Sequence, residues 1–131
     1  MAFQLLYDAT NKVLMARFTG IATDRDVSAM TEAARRFVQR NGACSAIADF
    51  SPVESFAVTV EFIRELAKAS PIMAGHRRML VGPSDTIFGS LRMFELQQAR
   101  DGDHATVVRS LARAYEVLGI ANPDFQPVAI L

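Results

Sequence analysis

The stretch that decides the fold is residues 43–70, ACSAIADFSPVESFAVTVEFIRELAKAS. It opens on a short run of mostly small, apolar residues, the composition of a strand covered by other elements. Phe62, Ile63, Leu66 and Ala67 then switch to helical spacing. Between the two lies a turn, Asp49-Phe50-Ser51-Pro52-Val53-Glu54-Ser55-Phe56. Strand, polar turn and helix make the repeating unit of an α/β protein. Open α/β proteins commonly carry their working surface at the carboxyl ends of the strands, just before the helix N-termini.

Working outward toward the N-terminus, residues 3–7 and 13–19 read as strands joined by the polar turn 8–12, which makes them an antiparallel hairpin. Thr23 is a helix N-cap with Asp24 and Asp26 in the first turn. Val27, Met30, Ala34, Phe37 and Val38 share one helical face, and Asn41-Gly42 supplies a left-handed C-cap. Toward the C-terminus come a strand at 78–81, a helix capped by Ser84 and running to about Arg100, and a turn at 101–103. A strand at 104–108 and a helix from Ser110 to Leu118, stopped by Gly119, complete the pattern.

The element order is therefore β-β-α-β-α-β-α-β-α. It predicts an α/β fold with a five-stranded mixed sheet, an N-terminal antiparallel hairpin followed by parallel strands. Right-handed crossovers stepping one way give the order 1-2-3-4-5 and put the helices on one face. The rival doubly wound sheet has a glycine-rich first turn, and Gly20-Ile21-Ala22-Thr23 is not one. Residues 1–119 form a single domain, and 120–131 an apolar tail without clear periodicity.

At 131 residues the chain is long enough to bury a core without staples. A formal net charge of +0 gives no electrostatic reason to expect nucleic acid or an anionic membrane. The one cysteine, Cys44, lies in the central apolar strand, where it reads as a small buried hydrophobe, so no disulfide framework can form within the chain. No apolar run approaches the ~20 residues of a membrane span. Residues 1–7 lack the pattern of a signal peptide, and the expected location is the cytoplasm.

Chemistry-bearing motifs are absent. His76 and His104 have no cysteine or second histidine at ligand spacing, and no G-x-S-x-G elbow accompanies the serines, so neither a metal, a cofactor nor a catalytic residue is expected. The polar groups at the strand ends form a candidate interaction surface: Asp49, Ser51, Glu54 and Ser55 in the central turn, with Thr59, Ser84 and Asp85 at the helix starts. Asp49 equally suits an Asx-type cap of its own turn, and Asp85 fills a helix N-terminus with negative charge, which disfavours phosphate there. Phe50, Phe56 and Val58 with Phe62, Ile87 and Phe88 cluster around the two central strand-to-helix junctions. They read as a candidate apolar ligand site or as ordinary core.

The run Asp49-Phe50-Ser51-Pro52-Val53, the later Val81-Gly82-Pro83-Ser84-Asp85 leading to Phe88-Gly89-Ser90-Leu91-Arg92-Met93-Phe94-Glu95, and the β-hairpin start together resemble the bacterial SpoIIAA-like proteins, relatives of the STAS domain. The resemblance covers the chain up to Gly119. It implies the fold above and no enzymatic activity, and it implies that some relatives bind apolar ligands or membranes. In anti-sigma factor antagonists of this kind the segment runs on to an Asp-Ser-Ser-Gly element whose first serine is phosphorylated. Here the chain reads Ala57-Val58-Thr59-Val60, with an apolar residue at the acceptor position and Thr59 one place away.

Two functions follow as expectations. The first is a non-enzymatic STAS-like interaction module lacking the usual phosphoacceptor. The second is a carrier or sensor for a small apolar ligand or lipid, and a hydrolase or nucleotide enzyme stands in reserve. A homodimer is also expected, through the back of the 84–100 helix, where Gly89, Met93 and Leu96 interrupt what should be a polar side, or through the apolar tail.

Overall fold

A computed structural model describes residues 2–100 and 102–129. The hairpin pairs β1 (Phe3–Asp8) with β2 (Val13–Phe18), with Phe3 opposite Phe18. Its turn is held by the carboxylate of Asp8, which accepts from the Asn11 backbone and side-chain nitrogens at 2.9 and 2.7 Å. After the short β3 (Gly20–Thr23), helix α1 (Asp24–Asn41) begins in a reciprocal capping box. Thr23 Oγ1 accepts from Asp26 N, and Asp26 Oδ2 accepts from Thr23 N at 3.0 Å. Gly42 ends the helix at φ +86°, ψ 166°, a positive-φ conformation that favours glycine but lies outside the left-handed helical cap expected there.

The central strand is β4 (Ser45–Asp49), followed by β5 (Val53–Ala57) and helix α2 (Val60–Lys68). Then come β6 (Arg78–Val81), α3 (Asp85–Ala99), β7 (Thr106–Val108), α4 (Leu111–Leu118) and β8 (Gln126–Pro127). Gly82 lies where β6 turns into α3, and a Cβ there would stand 3.0 Å from the Phe88 backbone, so only glycine lets helix and strand approach this closely.

The main sheet has six strands in the order β7-β6-β4-β2-β1-β8. The five expected strands keep the expected sequence, with β4 in the middle of them. β2, β4, β6 and β7 are parallel, and β1 is antiparallel to β2. Three strands were not anticipated. β8 adds antiparallel to β1, while β3 and β5 form a separate two-stranded parallel sheet. Each is short and pairs with a partner remote in sequence, so local alternation carries no trace of it. β5 also occupies what reads as the polar turn after the central strand.

The helices do not all lie on one face, as the one-way winding predicts. Alternation along the strands sends Leu5, Ala16, Ala48 and Leu80 to the face covered by α1, α2 and α3. It sends Met15, Ile47, Met79 and Val81 to the opposite face, against Ala114, Leu111 and Tyr115 of α4. No strand beside β7 follows α4, so α4 need not act as a crossover. It carries the chain back across the bare face to β8 at the far edge.

The tail is therefore part of the domain. Ile120 is buried, Phe125 stacks on Tyr115 with ring centroids 6.0 Å apart, and Val128 N donates to Leu5 O at 2.9 Å. Asp124 N donates to Asp8, tying the tail to the hairpin turn at 2.9 Å. This docking removes the tail as a reason for dimerisation as far as Ala129. Ile130, Leu131 and, in the 101–103 turn, Asp101 lie outside the described residues. Among the described residues no helix is long and apolar enough to cross a membrane.

Candidate functional site

Strand β4 supplies Ala46 and Ala48, and β2 supplies Ala16, to the face beneath α1 and α2. Three short side chains in adjacent positions make a low floor, because a helix cannot sink onto alanines as far as its own larger side chains would need. Helix α2 is seated chiefly on α3, with little contact to α1 or the sheet. The result is a cleft of about 270 Å³ between α1 on one side and α2 and α3 on the other.

Met30 and Ala34 of α1 face Phe62, Ile63 and Leu66 of α2 across this space, with Leu91 and Phe94 of α3 beyond. Phe50, Phe56 and Val58 line the end nearest the strand carboxyl termini. Phe50 stacks flat on Phe18 at 4.5 Å and meets Phe56 edge-on at 5.5 Å, so this end is closed by an aromatic wall. At the other end lie Ser70, Pro71, Ile72 and Met73, which follow α2. Met30 and Met73 give the lining two adaptable thioethers, suited to apolar surfaces of varied shape.

Of the six apolar candidates read from sequence, Phe50, Phe56, Val58 and Phe62 line the cleft. Ile87 and Phe88 do not: Ile87 is buried in the core under α3, and Phe88 lies beneath the guanidinium of Arg109, 4.1 Å from its ring centroid. The sequence reading missed Ala16, Ala46 and Ala48, Met30, Met73 and Gln98. Gln98 had a signal, since it continues the Ile87, Leu91, Phe94 stripe by one more turn as a polar residue where an apolar one is expected.

The polar candidates are divided between surfaces. Asp49 is 1% exposed and faces α4, away from the cleft. It accepts from Ser51 N at 2.9 Å and Arg17 Nε at 3.3 Å, the local cap it was equally suited to be, so its carboxylate is turned into the chain rather than toward solvent. Ser51, Glu54 and Ser55 are exposed outside the cleft lining, as are Ser84, which caps α3 through Ile87 N, and Asp85, paired with Arg109 at 2.7 Å. Thr59 caps α2, accepting from Phe62 N at 3.2 Å. On the back of α3, Leu96 is 52% exposed, Met93 is half-buried, and a Cβ on Gly89 would meet open space.

A second depression of about 390 Å³ lies beyond Arg78, lined by Gly75, His76, Arg77, Asp103 and His104. Its cations are engaged within the chain. Arg78 pairs with Asp103 at 2.9 Å and donates to the carbonyls of Met73 and His76, while Arg77 donates to Val117 O. The hydrogen bond from Arg78 holds the Asp103 carboxyl below its ordinary range. Neither His takes part in a metal cluster; among the described residues no three His, Cys, Asp or Glu side chains are placed to hold an ion.

Comparison with family models, with curated proteins and with solved structures finds no match to this chain.

Proposed function

We propose that this protein is a non-catalytic binding protein for a small apolar ligand, which it holds in the cleft between α1 and the α2–α3 pair. The observation that carries the reading is the lining itself: an almost wholly apolar space of about 270 Å³ over an alanine floor. Apolar side chains held around an open space of this size meet water rather than one another and forgo the stabilisation that their burial would give. Stability alone does not favour keeping such a space, and a site for a ligand of roughly this volume does.

Native mass spectrometry of the purified protein tests the reading. A non-covalent adduct that organic solvent extracts, and that is absent when Ala48→Leu fills the floor, is the expected result. A bare chain mass, together with no uptake of an apolar fluorophore, rejects it.

A second reading keeps the chain as an STAS-like interaction module. It is favoured by the exposed polar residues Ser51, Glu54, Ser55, Ser84 and Asp85, and by Leu96 standing out on α3. Self-association through Gly89, Met93 and Leu96 belongs to it. Sedimentation equilibrium at several concentrations tests that face, and a monomer throughout rejects it.

A further inference from the structure

We infer that the ligand of this cleft carries a neutral hydrogen-bond acceptor, such as a ketone, ester or amide carbonyl, which is received by the side-chain amide of Gln98. The inference rests on the reading of the cleft as a binding site. Gln98 is only 5% exposed and lines the cleft from α3. Its Oε1 accepts from Ala105 N at 3.0 Å. A backbone N–H can only donate, so this bond fixes which way the amide is turned and sends Nε2 to the other side. That nitrogen makes no hydrogen bond among the described residues, yet no inaccessible side-chain nitrogen or oxygen lacks a partner. Nε2 therefore reaches accessible space, and for a residue so deeply buried that space is the cleft. An apolar ligand that displaces water from the cleft leaves this amide donor without a partner, which is costly unless the ligand itself accepts from it.

The charge around this corner decides which acceptor. Arg78 lies beside Ala105, because Met79 and Thr106 pair in the β6–β7 register. Its guanidinium is balanced by Asp103 at 2.9 Å and donates to two backbone carbonyls, so the corner holds no uncompensated positive charge. A carboxylate placed there would lose its water for a single neutral donor, which does not repay the desolvation of an ion. A carbonyl oxygen asks for one or two such donors. Size sets the rest: at the ~30 Å³ that one water occupies in the liquid, the cleft takes roughly nine non-hydrogen atoms.

Acetophenone, isopropylbenzene and benzoate have this size and nearly one shape, and differ only in the group that Gln98 would meet. Titrated into the isotopically labelled protein, acetophenone is expected to move the Gln98 side-chain amide resonances as well as the methyl resonances of Met30 and Leu66. Isopropylbenzene should move only the methyls, and benzoate should bind at least about tenfold more weakly than acetophenone. In Gln98→Glu at pH 8, which keeps an oxygen for Ala105 N–H but loses the free donor, acetophenone should weaken about 3–10-fold, the factor equivalent to one net hydrogen bond. Isopropylbenzene should change less than twofold. Benzoate binding as well as acetophenone, or equal responses of the Gln98 amide to ketone and hydrocarbon in the unaltered protein, overturns the carbonyl assignment alone. If none of the three moves the cleft methyls, the binding reading falls with it.

Discussion

Thr59, at the start of α2, is bonded to Asp24, at the start of α1: its backbone N donates to Asp24 Oδ1 at 2.7 Å and its hydroxyl to Oδ2 at 2.8 Å. The first turns of α1 and α2 are thereby tied to each other, and the pairing of β3 with β5 ties the segments that lead into them. At the other end the two helices are not so joined, since α2 runs out at Lys68 into the Ser70-Pro71 segment. Motion that admits a ligand is then expected at the α2 C-terminus, with the Asp24–Thr59 end acting as the fixed point.

Thr59→Ala removes both a helix cap and this tie. A cap alone contributes about 1 kcal/mol, so a loss of about 1–2 kcal/mol is expected in urea unfolding. In a double-mutant cycle with Asp24→Ala the two losses should fall short of additive by at least ~0.5 kcal/mol. Simple additivity would show that the contact contributes nothing beyond the cap.

Ala48→Leu should abolish uptake of apolar probes while leaving the melting temperature within a few degrees of the parent. In a filled core the same enlargement would cost about 1–3 kcal/mol by overpacking. Strong destabilisation with probe binding retained would mean that the space beneath α2 is not where ligands go.

Asp8 makes stability depend on acidity. Its burial raises the carboxyl pKa, but hydrogen bonds from the Asn11 backbone, Asp124 backbone, Asn11 side chain and Thr10 backbone outweigh that and hold it below the ordinary value of 3.8. A depressed folded-state pKa contributes stability that is fully present above the unfolded value and is lost as pH falls through the folded one. Unfolding free energy should therefore drop below about pH 4. Asp8→Asn should flatten that drop and lower stability at pH 7 by about 2 kcal/mol, since a buried acceptor of several bonds is lost. It should also speed hydrogen exchange at Asp124 N.

The Cys44 thiol is pushed up by burial, only partly offset by a backbone hydrogen bond from Leu14. At pH 8 the native protein should react with a thiol-specific disulfide reagent at least about tenfold more slowly than the urea-unfolded chain, because the thiolate is the reacting form. Equal rates would place the thiol at the surface.

The strands that alternate and turn locally, β1, β2, β4, β6 and β7, were legible from sequence, as were the caps Thr23, Thr59, Ser84 and Gly119. Both signals are carried by residues adjacent in the chain. What could not be read was set at a distance: β3 finds β5, and β8 finds β1 across nearly the whole sequence. The cleft was half legible. Phe50, Phe56, Val58 and Phe62 stand in sequence as they would for either a core or a site, because helical periodicity reports which face is apolar and not how far that face stands from the sheet. The distance was set by Ala16, Ala46 and Ala48, whose smallness reads simply as strand composition.

The main sheet ends on both sides in its shortest strands, β7 with three residues and β8 with two, one of them Pro127, which has no N–H to offer. A long bare ladder at a sheet margin invites other chains to extend it, and fibres grow by that route. Among the described residues these two end strands offer little such template. Crowding should therefore drive association through side-chain contacts rather than by extension of these two strands.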